Sequence, residues 1–583
     1  MGVKTFGIGE ARLRAIELKF LMKMQIDIKK GEVLMDSYNL LDRSWIPVVD
    51  HEGHETSVGI RELLARPADF RGLAAPLGTV SFAIMRVLLA VLYRSWDSKK
   101  WRRSERAVEH WLEKWDQESL LDPEVEDYLS TWENRFDLRD KEHPFFQVAG
   151  LHTAKGEWKP LEIIFPDVGD EGDLFSMRDR LASVDAAEAA QAVVHCMAFD
   201  FSGIKPGADG DKRVKGGKGY PIGIGWCGWL GGTVIEGKNL RETLLLNYIP
   251  LRPGAGTEDR PLWEMEDIGP AARDGLTAPG PVELLTWPQR RILLHWDGDR
   301  VTGVLVTNGD AVDYTTQNSV ETMSPWRFSE PQTKKAKAIR YMPQSLSVGK
   351  TMWRSLGGLF PNSAPEMTAL KLSGEKLSLP KTEPAKNIDW VSTLIGQGAL
   401  DSDRGLRVHM VSMEYGAQNS SFAGVAEDAL TVRSAFLDAG SDALRAVARQ
   451  AVQRADDVAR LLWIFARNTA FAVSGNADEA DTEGIQAAFY QQVDHRFRGW
   501  LRELGPDSRR DDVLADWSVV LRTTATGLAK DLLSAQGPDV WAGRWDGTYR
   551  ITGAVAVERL RRGLRDCLGT DPRSTTSENG ESK

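Results

Sequence analysis

Residues 442–471 constrain this chain more than any other stretch. Leu444, Val447, Ala451, Val452, Ala455, Val458, Leu461 and Leu462 recur mostly at steps of three and four. That spacing puts them on one face of a long α-helix, which must be covered by other apolar surface. Residues 425–436, 485–504, 511–533 and 554–568 are further helical candidates. An acidic linker at 478–483 and turns at 505–507 and 537–539 separate them. Long helices with short joins predict a C-terminal helical bundle of the four-helix type.

The chain before the bundle has another character. Residues 39–49 predict a strand with a turn at Asp42 and Arg43, 51–53 a hairpin turn, and 58–65 a short helix. Residues 79–96, 107–115 and 123–132 carry helical apolar patterns. From 143 to about 380 glycine and proline become frequent and short β-like runs appear, at 162–165, 232–235, 291–296 and 301–307. Long loops in such a body are often functional. At roughly 100–200 residues per domain, 583 residues suggest two to four domains.

The expected fold class is α+β. A large mixed α/β domain with long loops spans 35–422, and the helical bundle spans 423–569. Residues 1–34, with seven basic and four acidic side chains, read as an N-terminal extension, and Met35 as an alternative start. The polar, Ser/Thr-rich stretch 570–583 is expected to be disordered. The 20 tryptophans are expected to pack the core and the domain interface.

Three isolated cysteines, Cys196, Cys227 and Cys567, form no CxxC pair, so no disulfide framework or cysteine-rich metal site is expected. A reducing, cytoplasmic setting fits this usage. No apolar run reaches the roughly 18 residues of a membrane span, and no signal-peptide order is present. The net charge of −10 argues against a protein that coats DNA over its whole surface. It leaves room for a local basic patch, which is what nucleic-acid binding requires.

Signals for enzymatic chemistry are poor. GxSxG, HExxH and CxxC are absent, and His51 and His54 flank Gly53 in an expected solvated turn. Gly232, Gly237 and Lys238 approximate a Walker A loop, but Asn239 stands where a Ser or Thr should hold magnesium. Gly349, Lys350 and Thr351 form a GKT, but Gln344 stands where the first glycine belongs. The chain is expected to be no enzyme and to need no cofactor or metal.

Signals for nucleic acid are better. Residues 203–219 hold six glycines with Lys205, Lys212, Arg213, Lys215 and Lys218 against Asp209 and Asp211. Glycines let a backbone approach closely, and cations suit phosphate, although a flexible surface loop reads the same way. Residues 326–354 carry seven cations, among them Lys334, Lys335 and Lys337, against one acid. Trp326, Phe328, Tyr341 and Trp353 are interleaved, which suits nucleic acid or a solvated face over a packed core. Ala417, Gln418, Asn419 and Ser420 follow a β-like run at 406–413 and offer amides at a turn. Amides can bond base edges, and they are also ordinary turn residues. Phe175, Ser176, Met177 and Arg178 set an aromatic beside arginine after an acidic loop.

In order, these motifs resemble the CasA family, the large subunit of the type I-E CRISPR Cascade surveillance complex. The resemblance begins at Asn39-Leu-Leu and Trp45-Ile-Pro-Val. It continues through Glu142-His-Pro-Phe-Phe-Gln, Leu174-Phe-Ser-Met-Arg-Asp, the glycine-rich loop, Asn239-Leu-Arg-Glu-Thr-Leu and Tyr415-Gly-Ala-Gln-Asn, and covers roughly 36–568. It implies a non-catalytic role in antiviral defence. Such a subunit reads the short motif (PAM) beside a double-stranded DNA target and helps open the duplex, forming an R-loop with the guide RNA. The implied partners are that DNA, the guide RNA near its 5′ end, the other Cascade subunits and the complex's helicase-nuclease, with no membrane.

Residue by residue, the resemblance assigns the PAM loop to Ser202, Gly203, Lys205 and Gly207, and the wedge to Ala417, Gln418, Asn419 and Ser420. Phe175–178 match an anchoring loop near the guide RNA. The family's minor-groove finger falls at Gln317 and Asn318, where no lysine stands, or among residues 334–337. Two rivals stay open, a nucleotide-dependent enzyme and a purely structural scaffold.

Overall fold

The structure is a computed structural model that describes residues 37–96, 104–168, 180–250, 258–266, 268–273, 277–347, 349, 351–358, 360, 366–372 and 374–569. The anchoring-loop candidates Phe175, Ser176, Met177 and Arg178, and Lys350 of the GKT, lie outside the described residues.

The N-terminal body is organised around the helix Gly78–Ser95. Fourteen of its 18 residues are buried. A helix apolar on every side belongs in a core. By length and composition it could cross a membrane, in contrast to the sequence expectation, and 78% of it is buried inside the fold. Its one fully enclosed cation, Arg86, is met by Glu321 in a two-pronged pair at 2.9 and 3.0 Å. The Trp226 indole donates to the same carboxylate at 2.7 Å.

That helix packs against the helices Pro123–Thr131, Ala186–Phe199, Leu240–Asn247 and Pro281–Leu285 and against one edge of the β-structure, which is a set of small antiparallel sheets. Strands β1 (Ile46–Asp50), β2 (Glu55–Val58) and β3 (Phe70–Leu73) form one, in the order β2-β1-β3. A short ribbon joins β4 (Lys205–Pro206) to β5 (Lys218–Gly219). Strand β6 (Gly232–Glu236) belongs to a sheet completed later in the chain, and β7 (Arg290–Asp297) pairs with β8 (Arg300–Asn308). Strands β9 (Trp326–Phe328), β10 (Tyr341–Pro343) and β13 (Thr382–Glu383) make a further sheet, and β11 (Met367–Leu372) pairs with β12 (Glu375–Pro380).

The longest hairpin joins β14 (Gly405–Tyr415) to β15 (Phe422–Arg433), with β6 on the far side of β14. Residues 425–433 are therefore strand, where the sequence predicted helix. Burial falls on Ala426, Leu430 and Val432 at even spacing, and eleven cross-strand pairs with β14 override a weak helical pattern. The run 162–165 is likewise a 3₁₀ turn, Leu161–Ile164, because a short apolar run does not distinguish the two.

A charge ladder crosses this sheet. His409 on β14 meets Glu236 on β6 at 3.1 Å and Glu427 on β15 at 3.5 Å. Glu427 also accepts the Gly78 amide at 2.9 Å, tying the hairpin to the start of the central helix. Burial opposes the His409 charge, but hydrogen bonds to the two glutamates outweigh it and lift its pKa to about 9. A folded value above the ordinary 6.5 adds stability that is complete below 6.5 and lost as pH rises through about 9. Denaturant titrations across that window should register a decline on the order of 2 kcal/mol, absent in His409→Gln. Identical pH slopes for the two proteins would refute the ladder.

The bundle consists of helices Asp442–Ser474, Thr482–Glu503, Arg510–Ser534 and Gly553–Leu568. Seven of the eight apolar residues that predicted the first helix are buried, and Leu461 is partly so. Asp481 and Thr552 cap the second and fourth helices by accepting the amides of Gly484 and Val555. Trp353, with its ring stacked 4.3 Å from Phe497 and its indole bonded to Asp494 at 2.8 Å, joins the body to the bundle.

Candidate nucleic-acid interface

The two motifs that matched the PAM loop and the wedge meet. The Ser202 amide donates to the Asn419 carbonyl at 2.8 Å, joining the start of the glycine-rich loop to the tip of the β14–β15 hairpin. Tyr415, at the base of that tip, donates to the Phe199 carbonyl at 2.7 Å. Burial, with the Asp200 charge nearby, raises its phenol well above the ordinary value. The Phe422 ring closes edge-on against Phe201, 5.3 Å between centroids.

The tip holds an uncommon backbone. Gln418 and Asn419 both have φ of 56°. Successive left-handed residues suit the tight turn of a twisted hairpin. Asparagine enters that region readily and glutamine does not. Ala417, Gln418 and Ser420 are exposed and Asn419 is half-buried. The Ser420 hydroxyl donates to the Ala417 carbonyl at 2.8 Å, closing the turn.

Behind the loop lies a buried ion cluster. The Asp200 carboxylate takes Lys205 Nζ across both oxygens, at 2.9 Å to Oδ1 and 2.8 Å to Oδ2, and Oδ2 also accepts from the Arg290 guanidinium. Arg290 also donates to the carbonyls of Phe201 and Gly223, at 3.1 and 2.8 Å. Lys205 Nζ stands 3.9 Å from the centre of the Phe201 ring. Lys205, read from the sequence as a cation facing DNA, is thus 7% exposed and holds the loop from within. Gly207 is needed there, because a Cβ would come within 2.3 Å of Val214.

The rest of the loop is a cationic ribbon. Lys215 and Lys218 pair across a turn made by Gly216 and Gly217, whose φ values of 56° and 73° favour glycine. Lys212, Lys215 and Lys218 are exposed. Arg213 is turned inward, bonded to Asp211 at 3.0 Å and to the Gly309 carbonyl at 3.0 Å.

The finger candidates sit on other elements. Gln317 is fully buried, and its amide donates to the Asp313 carbonyl and the Thr316 hydroxyl. Asn318 donates to Glu383 at 3.0 Å. Both amide nitrogens are thus engaged within the protein. Lys334, Lys335 and Lys337 are exposed on and after the helix Glu330–Ala336, with Lys334 paired to Glu330 at 2.6 Å. Of the aromatics interleaved there, Trp326, Tyr341 and Trp353 are buried, so they pack the core and leave the cations as a solvated face. The Walker-like stretch at 232–238 is strand β6 followed by a turn, with Gly232 against the Phe82 ring.

The family model described as CRISPR-associated protein Cse1 matches residues 39–528. This chain belongs to that family. A Cse1 crystal structure from Thermobifida fusca is 31% identical, with a TM-score of 0.81 over 91% of this chain and 98% of that one. Cse1 from Acidimicrobium ferrooxidans is 26% identical, with a TM-score of 0.75 over 91% and 98% of the two chains. The CRISPR-associated protein CasA/Cse1 of Thermus thermophilus is 27% identical over 354 residues, which span 59% of this chain and 64% of that relative. The resemblance drawn from the ordered motifs and the Cse1 family are the same assignment.

Sequence reasoning missed what makes the loop a defined shape. Asp200 and Arg290 are 90 residues apart, and no spacing rule pairs them. The exposed pair Ile204 and Tyr220, at the two ends of the glycine-rich loop, was in plain view but is unremarkable without its placement.

Proposed function

We propose that this chain is the non-catalytic, DNA-binding large subunit of a type I-E Cascade complex, reading the PAM of double-stranded DNA from the minor groove. The observation that carries this reading is the Ser202–Asn419 hydrogen bond, which makes the loop and the amide-bearing tip one surface. A loop without side chains at Gly203 can enter a narrow groove, and the tip beside it can push into the stack. Prising a step apart requires a few kcal/mol, which contacts to the opened DNA offset. The strained backbone at Gln418 fits a part held rigid for insertion.

Exposed Lys212, Lys215 and Lys218 are the phosphate contacts in this reading, and Lys205 is a strut. The guide RNA, the other Cascade subunits and the helicase-nuclease are the proposed partners, with the cytoplasm as the setting.

The test is binding of duplexes that differ only in the flanking trinucleotide, at one stated salt, to a complex reconstituted with guide RNA and partner subunits. The wild-type complex should prefer some flanks strongly, and Gln418→Ala/Asn419→Ala should lose at least about 10-fold of that preference. Gly203→Ala is the companion variant. Its added methyl meets only the Phe201 ring, at 3.8 Å, so the fold should hold while binding weakens. Flank-independent binding by the wild type would leave a scaffold.

A further inference from the structure

We infer that Ile204 and Tyr220 form an apolar clamp that holds a nucleobase freed from its pair beside the flank, with the Tyr220 ring as the stacking group. This rests on the reading above and adds two residues to it.

Strand β4 pairs with β5 as Lys205↔Gly219 and Pro206↔Lys218. Ile204 and Tyr220 flank this ribbon, and the register carried one residue further sets them opposite each other. Directly opposed residues share a face, and alternation sends Lys205 to the other side. Lys205 is indeed buried, while Ile204 is 58% and Tyr220 55% exposed. An exposed isoleucine and tyrosine that this register places opposite each other make a small apolar surface that the protein itself leaves open to solvent.

Its surroundings name the occupant. Ile204 lies two residues from Ser202, whose amide is bonded to the wedge tip, so the pair adjoins the place where a base would be displaced. Lys218 begins β5 and Tyr220 follows its last residue, Gly219, so the alternation continued by one residue puts Lys218 and Tyr220 on one face about 7 Å apart. That distance suits one ligand that offers an apolar ring and a phosphate together, which is a nucleotide. The mount is rigid. Asn308 donates to the carbonyls of Gly219 and Tyr220, at 3.2 and 2.7 Å, and Arg290 grips Phe201 and Gly223 from behind. A ring held this way loses little freedom on stacking, and stacking is tolerant of base identity.

The experiment uses the reconstituted complex with wild-type chain, Tyr220→Ala and Tyr220→Phe. Each is titrated with a duplex bearing a preferred flank and with duplexes abasic at the first position beside that flank, on either strand. Tyr220→Ala should bind the intact duplex roughly 5- to 100-fold more weakly. Its preference among flanks should be unchanged, and Tyr220→Phe should match the wild type. One of the two abasic duplexes should weaken the wild type by a similar factor and leave Tyr220→Ala unaffected.

Wild-type binding by Tyr220→Ala, or equal losses on intact and abasic duplexes, would overturn the clamp. A Phe variant as weak as Ala would do the same, because the hydroxyl would then be the contact. Failure of Tyr220→Ala to assemble with its partner subunits would assign the pair to a protein interface instead. The parent reading fails separately, in the wild-type complex, if all flanks bind alike; the clamp then falls with it.

Discussion

Asp200→Ala is expected to destabilise the chain by about 3–5 kcal/mol. The carboxylate is 1% exposed and is the counter-ion of two buried cations, Lys205 and Arg290. Removing it leaves two like charges side by side in a low dielectric, and neither can reach water without unfolding the loop. Arg290 would also lose its set against the carbonyls of Phe201 and Gly223, and the loop would part from the hairpin tip. Chemical denaturation reads the first effect, and flank-dependent binding of the reconstituted complex reads the second. Asp200→Asn keeps the shape and drops the charge, so most of the loss should persist in it. A change below about 1 kcal/mol in both variants would mean that the loop is held by its packing alone, as exposed ion pairs are.

A loss of similar size is expected from Glu321→Ala. Arg86 and Glu321 are each 1% exposed, and the carboxylate also accepts the Trp226 indole and the Met323 amide. The single substitution strands the Arg86 guanidinium in the core beside the central helix, which costs about 3–5 kcal/mol. The pair Arg86→Met/Glu321→Leu removes both charges. It should recover much of the loss, because the desolvation of two ions disappears along with their attraction. It should not recover all of it, since the indole, the amide and the Leu284 carbonyl bonded to Arg86 still lose a partner. Equal stabilities for the single and double variants would rule out a charge effect at this site.

The elements that could be read from residue order are those whose signal is local. The helix Asp442–Ser474 repeats its apolar residues from Leu444 to Leu462, about five turns, and that period is legible without any tertiary context. Strand β14 was visible in the run from Leu406, and the turn after it in Gly416 through Ser421. Residues 425–433 were misread because Ala, Val and Leu suit either state, and only the neighbouring strand chose. The candidate site divides in the same way. The glycines, the lysines and the amides were legible as residue types, whereas their exposure was not. Lys205 and Lys218 look alike in the sequence, yet one is buried against Asp200 and the other faces solvent. Gln317 and Gln418 look alike, yet one is enclosed and the other stands at a hairpin tip.

Sequence alone determined the α+β class, the helical bundle, the family and the kinds of side chain at the loop and the tip. Each is written in a period of two or 3.6 residues, or in the order of short motifs. Only the tertiary structure decided that Ser202 meets Asn419, that Asp200 binds both Lys205 and Arg290, and that Ile204 and Tyr220 are left exposed at the open end of the β4–β5 ribbon. Those relations join residues far apart in the chain. They are set by how the separate elements pack on one another, and no local pattern carries that information.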